Sequence, residues 1–135
     1  MDTNVVLSAA RSRRGASSAL LEELQQGRWR LVLSNTLLLE YEEVLKREAE
    51  VLGQTMETID GFLDALCAVA EQVAVTGAFR LHLADRDDEM LVQLALESGC
   101  QLITTHNIRD LSPAAAVGVR VLRPREFLNL IRTNV

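Results

Sequence analysis

Residues 85–111 read DRDDEMLVQLALESGCQLITTHNIRDL. Asp87 or Asp88 opens a helix with carboxylates in its first turn, and Gly99 supplies the stop. Leu91, Val92, Ala95 and Leu96 surround the angular direction of Asp88. At about 100° per residue, Asp88 therefore sits on the inward side of that first turn. Residues 101–104 then read as a buried strand, and Thr105, His106, Asn107 and Asp110 lie just beyond its carboxyl end. A helix feeding a short apolar strand is the building unit of a parallel sheet.

The same alternation runs outward from this stretch. Residues 16–26 predict a helix closed by Gly27, and residues 31–33 a short buried strand. Ser34 or Asn35 is the expected N-cap of a helix reaching about Lys46. A further helix covers residues 55–71, with Thr55 as its cap. Ile59, Phe62, Leu63, Leu66, Val69 and Ala70 form its apolar stripe. Residues 72–75 and 119–122 predict strands, and residues 125–132 a closing helix. No repeat or linker interrupts the chain, so residues 1–135 are expected to form one domain. The fold class is α/β, a three-layer α/β/α sandwich with a mainly parallel central sheet. In such sheets the functional crevice lies beyond the carboxyl ends of the strands.

Composition narrows the function. Hydrophobic residues make up 48% and charged residues 24%, the balance of an ordinary globular protein. No apolar run approaches the roughly 20 residues of a membrane span, and no signal peptide is visible. Cys67 and Cys100 share no metal-ligand spacing and read as two reduced thiols in a cytoplasmic protein. A net charge of -5 argues against a general nucleic-acid coat, but not against an acidic pocket with a basic rim. Thirteen of the fourteen basic residues are arginine, and Arg11, Arg13 and Arg14 follow closely on the N-terminal DTN segment. Guanidinium forks suit phosphate, so these three are candidate phosphate contacts alongside the reading as a solvated loop. A phosphotransfer site would want a partner lysine, and Lys46 is the only one.

Oxygen donors recur at the expected crevice. Asp2 stands at the start, Glu40 or Glu42 on the helix after the strand at 31–33, and Asp85, Asp87 and Asp88 before the next helix. Glu40 and Glu42 flank the same apolar face on opposite borders, and periodicity does not choose between them. One aspartate at a helix start satisfies capping, and three exceed it. Asn107 offers a neutral carbonyl oxygen, and such a set of hard donors suits Mg²⁺ or Mn²⁺. His106 reads as a surface residue more readily than as a general base, and His82 as structural or solvated.

Four motifs then come in order: DTN at residues 2–4, S-x-x-x-x-x-E-Y at 34–41, D-x-D-D at 85–88, and T-x-N-x-x-D-L at 105–111. Together they resemble the PIN-domain family. The likeness is nearest to the bacterial and archaeal branch regarded as toxins of toxin–antitoxin systems. It implies a metal-dependent endoribonuclease acting on single-stranded RNA. By resemblance the catalytic and metal-binding positions fall on Asp2, Glu40, Asp88 and Asn107. Asn4, Asp85, Asp87, Thr105 and Asp110 are accessory positions. The resemblance also implies a small antitoxin partner and a homodimer. In the family the first aspartate ends a central strand. Only Met1 precedes Asp2 here, so that strand is expected to be truncated and Asp2 poorly anchored.

Overall fold

The structure, a computed structural model, describes residues 1–77, 83 and 85–133. The expectation for His82 lies outside these residues. Helix α1, Thr3–Arg11, is an element the sequence reading leaves unassigned. Adjacent valines suggest a strand, yet Val5, Val6 and Ala9 recur at helical spacing and are buried. Asp2 caps the helix by accepting from the Thr3 N–H. The helices α2, Ala16–Gln25, and α3, Asn35–Arg47, flank strand β1, Val32–Leu33. The short α4, Ala49–Leu52, and α5, Met56–Val69, lead to strand β2, Glu71–Gln72. Helix α6, Arg86–Ser98, ends at Gly99 in the left-handed region at φ 75°, which favours glycine. Strand β3, Leu102–Thr104, the turn α7, Ile108–Leu111, and a 3₁₀ segment, Ser112–Val117, follow. Strand β4, Arg120–Leu122, and α8, Pro124–Thr133, close the fold.

The strands are parallel, as expected, but they do not form one central sheet. β1 pairs with β2 and β3 pairs with β4, as two separate two-stranded sheets among the described residues. The three-layer sandwich around a continuous sheet is thus corrected to an α/β fold with a divided sheet. The cause is local: α6 packs against both β1 and β3, but no strand among the described residues lies between those two. β2 also starts earlier than residues 72–75 suggested, because the Glu71 and Val73 N–H groups both donate to β1 carbonyls.

One apolar core joins the halves. Leu31, Leu33, Leu37, Leu45, Ile59, Val92 and Ile103 belong to it. Ile59, Leu63 and Leu66 of the expected α5 stripe are buried within the chain's own fold, whereas Val69 is exposed. A satellite cluster of Leu20, Leu128 and Ile131 seats α8 on α2. There the rings of Trp29 and Phe127 meet edge to face at 5.2 Å.

Tyr41 ties the core to the N-terminus. It is fully buried, and its hydroxyl donates to the Met1 carbonyl. Tyr41→Phe keeps the ring but leaves that carbonyl without its donor. The variant is expected to lose about 1–2 kcal/mol in urea unfolding, with an unchanged m-value.

Candidate metal centre

The carboxyl end of β3 organises the site. The Asp2 N–H donates to the Thr104 carbonyl at 2.9 Å, and the Thr105 N–H donates to the Leu122 carbonyl at 3.0 Å. The Asp2 carboxylate accepts from the Thr3 N–H at 2.8 Å and from the Thr105 hydroxyl at 2.6 Å. Asp2 is therefore firmly held, and the expectation that it is poorly anchored is wrong. A helix cap and bonds to the end of β3 do what a long strand was thought necessary for.

The Asn4 side chain of the DTN segment also acts on this corner. The Asn4 side-chain carbonyl accepts from the His106 N–H at 3.2 Å, and its amide lies 3.5 Å from the Thr105 hydroxyl oxygen. The same oxygen accepts from the Asn107 N–H at 2.9 Å. Thr105, completely buried, is thus the hub joining Asp2, Asn4 and Asn107. The Asn107 amide donates to Asp110 at 2.8 Å, which leaves its carbonyl oxygen for another partner. His106 is exposed, in keeping with a surface role.

Two helices bring the remaining acids. Ser34 caps α3 by accepting from the Leu37 N–H at 3.1 Å. Six residues on, Glu40 is half-buried and faces the first turn of α6 across Thr36 and Met90. Glu42 lies elsewhere, paired with Lys46 at 3.4 Å. Tertiary packing thus separates the two glutamates that periodicity left equivalent. Asp85 caps α6 by accepting from the Asp87 N–H at 2.8 Å. Asp88, half-buried, stands in the same turn.

These acids feel one another. Burial, and then the charges of Asp2, Asp85, Asp110 and Asp87, push the Asp88 carboxyl up to about 6. Burial and the nearby Asp87 raise Glu40, with smaller contributions from Asp2 and Asp85. The Thr3 hydroxyl opposes that rise. Thr3 Oγ1 is nevertheless buried without a direct hydrogen-bond partner among the described residues, so it acts on Glu40 as a nearby dipole. Asp87 is the foremost charge acting on Glu40 and Asp2 the foremost acting on Asp88, with Asp85 contributing to both.

Among the described residues, none of Asp2, Glu40, Asp85, Asp87, Asp88 and Asp110 is ion-paired with a basic side chain. The donors are hard oxygens, and their repulsion calls for a cation, so the chemistry fits Mg²⁺ or Mn²⁺. Among the described residues, however, no three Asp, Glu, His or Cys side chains are close enough to grip one ion as placed. Side-chain rotation has to complete any such site. Arg11, Arg13 and Arg14 are not part of this cluster. All three are exposed; Arg11 ends α1, roughly 13 Å along the helix from Asp2, and Arg13 and Arg14 follow it. Arg11 lies 4.0 Å from Glu48.

A family profile described as PIN domain matches residues 1–109. The chain belongs to the PIN-domain family. Comparison with curated proteins and with solved structures returns no match. PIN domains have an α/β fold and are generally nucleases that use divalent metal ions. The matched span of this PIN domain includes Asp2, Glu40, Asp88 and Asn107 and stops just short of Asp110. Among the described residues of this PIN domain, no helix is long and apolar enough to cross a membrane.

Proposed function

We propose that this PIN domain is a Mg²⁺- or Mn²⁺-dependent endoribonuclease that hydrolyses single-stranded RNA. The observation that carries the reading is the corner where Thr105 joins Asp2 and Asn107, with Glu40 and Asp88 near enough to feel the Asp2 charge and no basic side chain among the described residues paired with these acids. Asp2, Glu40 and Asp88 would hold the metal, with the Asn107 carbonyl as a neutral fourth donor. When bound, the ion activates water and offsets charge on the phosphate. Thr105 and Asn4 keep Asp2 and Asn107 in register. Asp110 holds the Asn107 amide so that its carbonyl oxygen stays available. Asp85 and Asp87 add negative potential at the first turn of α6. Arg11, Arg13 and Arg14 would contact the RNA backbone away from the reacting phosphate.

By resemblance, the protein is the toxin of a toxin–antitoxin pair working in the cytoplasm. An acidic pocket with no basic partner among the described residues suits an antitoxin that inserts a basic side chain. A homodimer is part of the same proposal. A second reading, a scaffold that binds RNA or a partner without cutting, draws on the absence of a preformed three-ligand grip among the described residues.

The test is cleavage of an unstructured RNA with Mn²⁺, with chelator, and with Glu40→Gln. Metal-dependent cleavage that falls at least about 100-fold in the variant is expected; that is about 2.7 kcal/mol of transition-state stabilisation. RNA binding with no cleavage at any metal concentration would support the scaffold instead.

A further inference from the structure

The first turn of α6 is held from an unusual position. In a capping box, the side chain of the third helical residue reaches back to the N–H of the cap. Asp85 is the cap of α6, so that third residue is Asp88. Here the reach-back is made by the next residue and lands further upstream. Glu89 Oε1 accepts from the Leu83 N–H, two residues ahead of the cap, at 2.7 Å. The Glu89 N–H in turn donates to the Asp85 carbonyl at 3.1 Å. Glu89 thus grips the chain on both sides of the point where it turns into the helix. Asp85 is extended at that point, φ -113° and ψ 128°, and its carboxylate accepts from the Asp87 N–H at 2.8 Å.

This arrangement separates two tasks that a capping box gives to one side chain. A carboxylate that reaches back to the backbone spends an oxygen on it. With Glu89 making that bond, Asp88 is left to the acidic corner. We propose, resting on the nuclease reading, that Glu89 is a positioning residue of the metal centre. Through Leu83 and Asp85 it fixes the angle at which the chain enters α6, and with it the directions of the Asp85, Asp87 and Asp88 carboxylates. The leading N–H groups of a helix lack intrahelical partners, so this turn loosens when the chain ahead of it is untied. The bond from Leu83 needs an acceptor oxygen and not a negative charge, which sets Glu89 apart from a metal ligand. Glu97 offers the comparison. It accepts from the Thr76 N–H at 2.7 Å, the Thr76 hydroxyl at 2.6 Å and the Gly77 N–H at 3.0 Å. It also ties α6 to chain that precedes it, but eight residues further on, roughly 12 Å from Glu89 and away from the acids.

The experiment compares Glu89→Ala, Glu89→Gln and Glu97→Ala with the wild type. Three quantities are read: the Mn²⁺ concentration for half-maximal RNA cleavage, the melting temperature, and the amide shifts of Leu83, Asp85, Asp87 and Asp88. Glu89→Ala is expected to raise the Mn²⁺ requirement about tenfold, the scale on which groups that orient metal ligands act. It is also expected to move those four amide signals. Glu89→Gln keeps an acceptor oxygen and is expected to restore both readouts, the Mn²⁺ requirement to within about threefold of wild type. Glu97→Ala is expected to lower the melting temperature while leaving the Mn²⁺ requirement where it was. A Gln variant as impaired as Ala overturns the proposal, since Glu89 then acts through its charge. A Glu97→Ala variant that needs as much Mn²⁺ as Glu89→Ala overturns it too, since lost stability alone then explains the effect. So does a Glu89→Ala variant indistinguishable from wild type. A wild type that cuts no RNA at any Mn²⁺ concentration sinks the nuclease reading instead. The amide shifts then decide the positioning by themselves: moved in Ala and restored in Gln supports it, and unmoved in Ala overturns it.

Discussion

Asp88→Asn is expected to stabilise the metal-free protein while silencing it as a nuclease. The Asp88 carboxyl titrates near 6 when folded, well above the roughly 3.9 of an unfolded aspartate. Between those values the folded state holds more protons than the unfolded one, so stability falls as pH rises through about 6. Ionised Asp88 is thus a destabilising charge at pH 7.5. Its shift corresponds to nearly 3 kcal/mol at face value, and solvent screening of a half-exposed group reduces this to about 1 kcal/mol. Metal-free Asp88→Asn should therefore melt higher at pH 7.5. The wild type should close that gap as pH drops from 7 to 4, while the variant shows a flatter profile. Metal-dependent cleavage should fall about 100-fold or more, since a ligand charge is gone. Differential scanning calorimetry with chelator across that pH range decides the first half, and RNA cleavage with Mn²⁺ the second. A variant that melts lower than wild type at pH 7.5 without metal would mean that Asp88 is not strained by its neighbours.

Asp2→Ala is expected to have the opposite effect on stability and the same effect on cleavage. Asp2 sits in the same acidic corner, but both its carboxylate oxygens have donors: the Thr3 N–H and the Thr105 hydroxyl. Removing it uncaps α1, at about 0.5–2 kcal/mol. It also takes a charge-assisted bond from Thr105, worth about 1.5–3 kcal/mol. The two effects overlap, and a net loss of about 2–3 kcal/mol is expected in urea unfolding. Asp2→Asn should recover part of this, because an amide oxygen can still cap the helix, yet it should not restore cleavage. Equal stability of Asp2→Ala and wild type would show that the cap and the Thr105 bond contribute nothing. The contrast between Asp2 and Asp88 is the general point: within one acidic cluster, a carboxylate that accepts hydrogen bonds supports the fold and one pushed up by its neighbours' charges opposes it.

Most of the elements were legible in the sequence because their signals are local. Ser34 and Thr55 act as the caps expected, each accepting from an N–H three residues on. Gly99 stops α6, whose buried face includes the expected Leu91, Val92 and Ala95, while the α5 stripe is buried at Ile59, Leu63 and Leu66 but not at Val69. Helix α1 was not legible, since adjacent valines favour a strand, and its cap shows only once Asp2 is seen to accept from Thr3. The candidate site was legible as a set of residue types. The motif order named Asp2, Glu40, Asp88 and Asn107, whose roles as ligands await the experiments above. What periodicity could not reveal was partnership. Glu40 and Glu42 flank one apolar face in the same way, yet one meets Asp87 and the other Lys46.

The sequence by itself determined an α/β chain of alternating helices and short parallel strands, with oxygen donors placed after the strands. Caps, stops and hydrophobic period act over a few residues, and the chain carries them in plain order. Only the tertiary structure decided that the sheet is divided and that Asp2 is clamped through Thr105. It also decided that Glu40 and Asp88, remote in sequence, both feel the charges of Asp2, Asp85 and Asp87. Those outcomes depend on which strand edges meet and on how closely charges from residues 2, 40, 88 and 110 approach. Both are distances between remote parts of the chain, which no local pattern encodes.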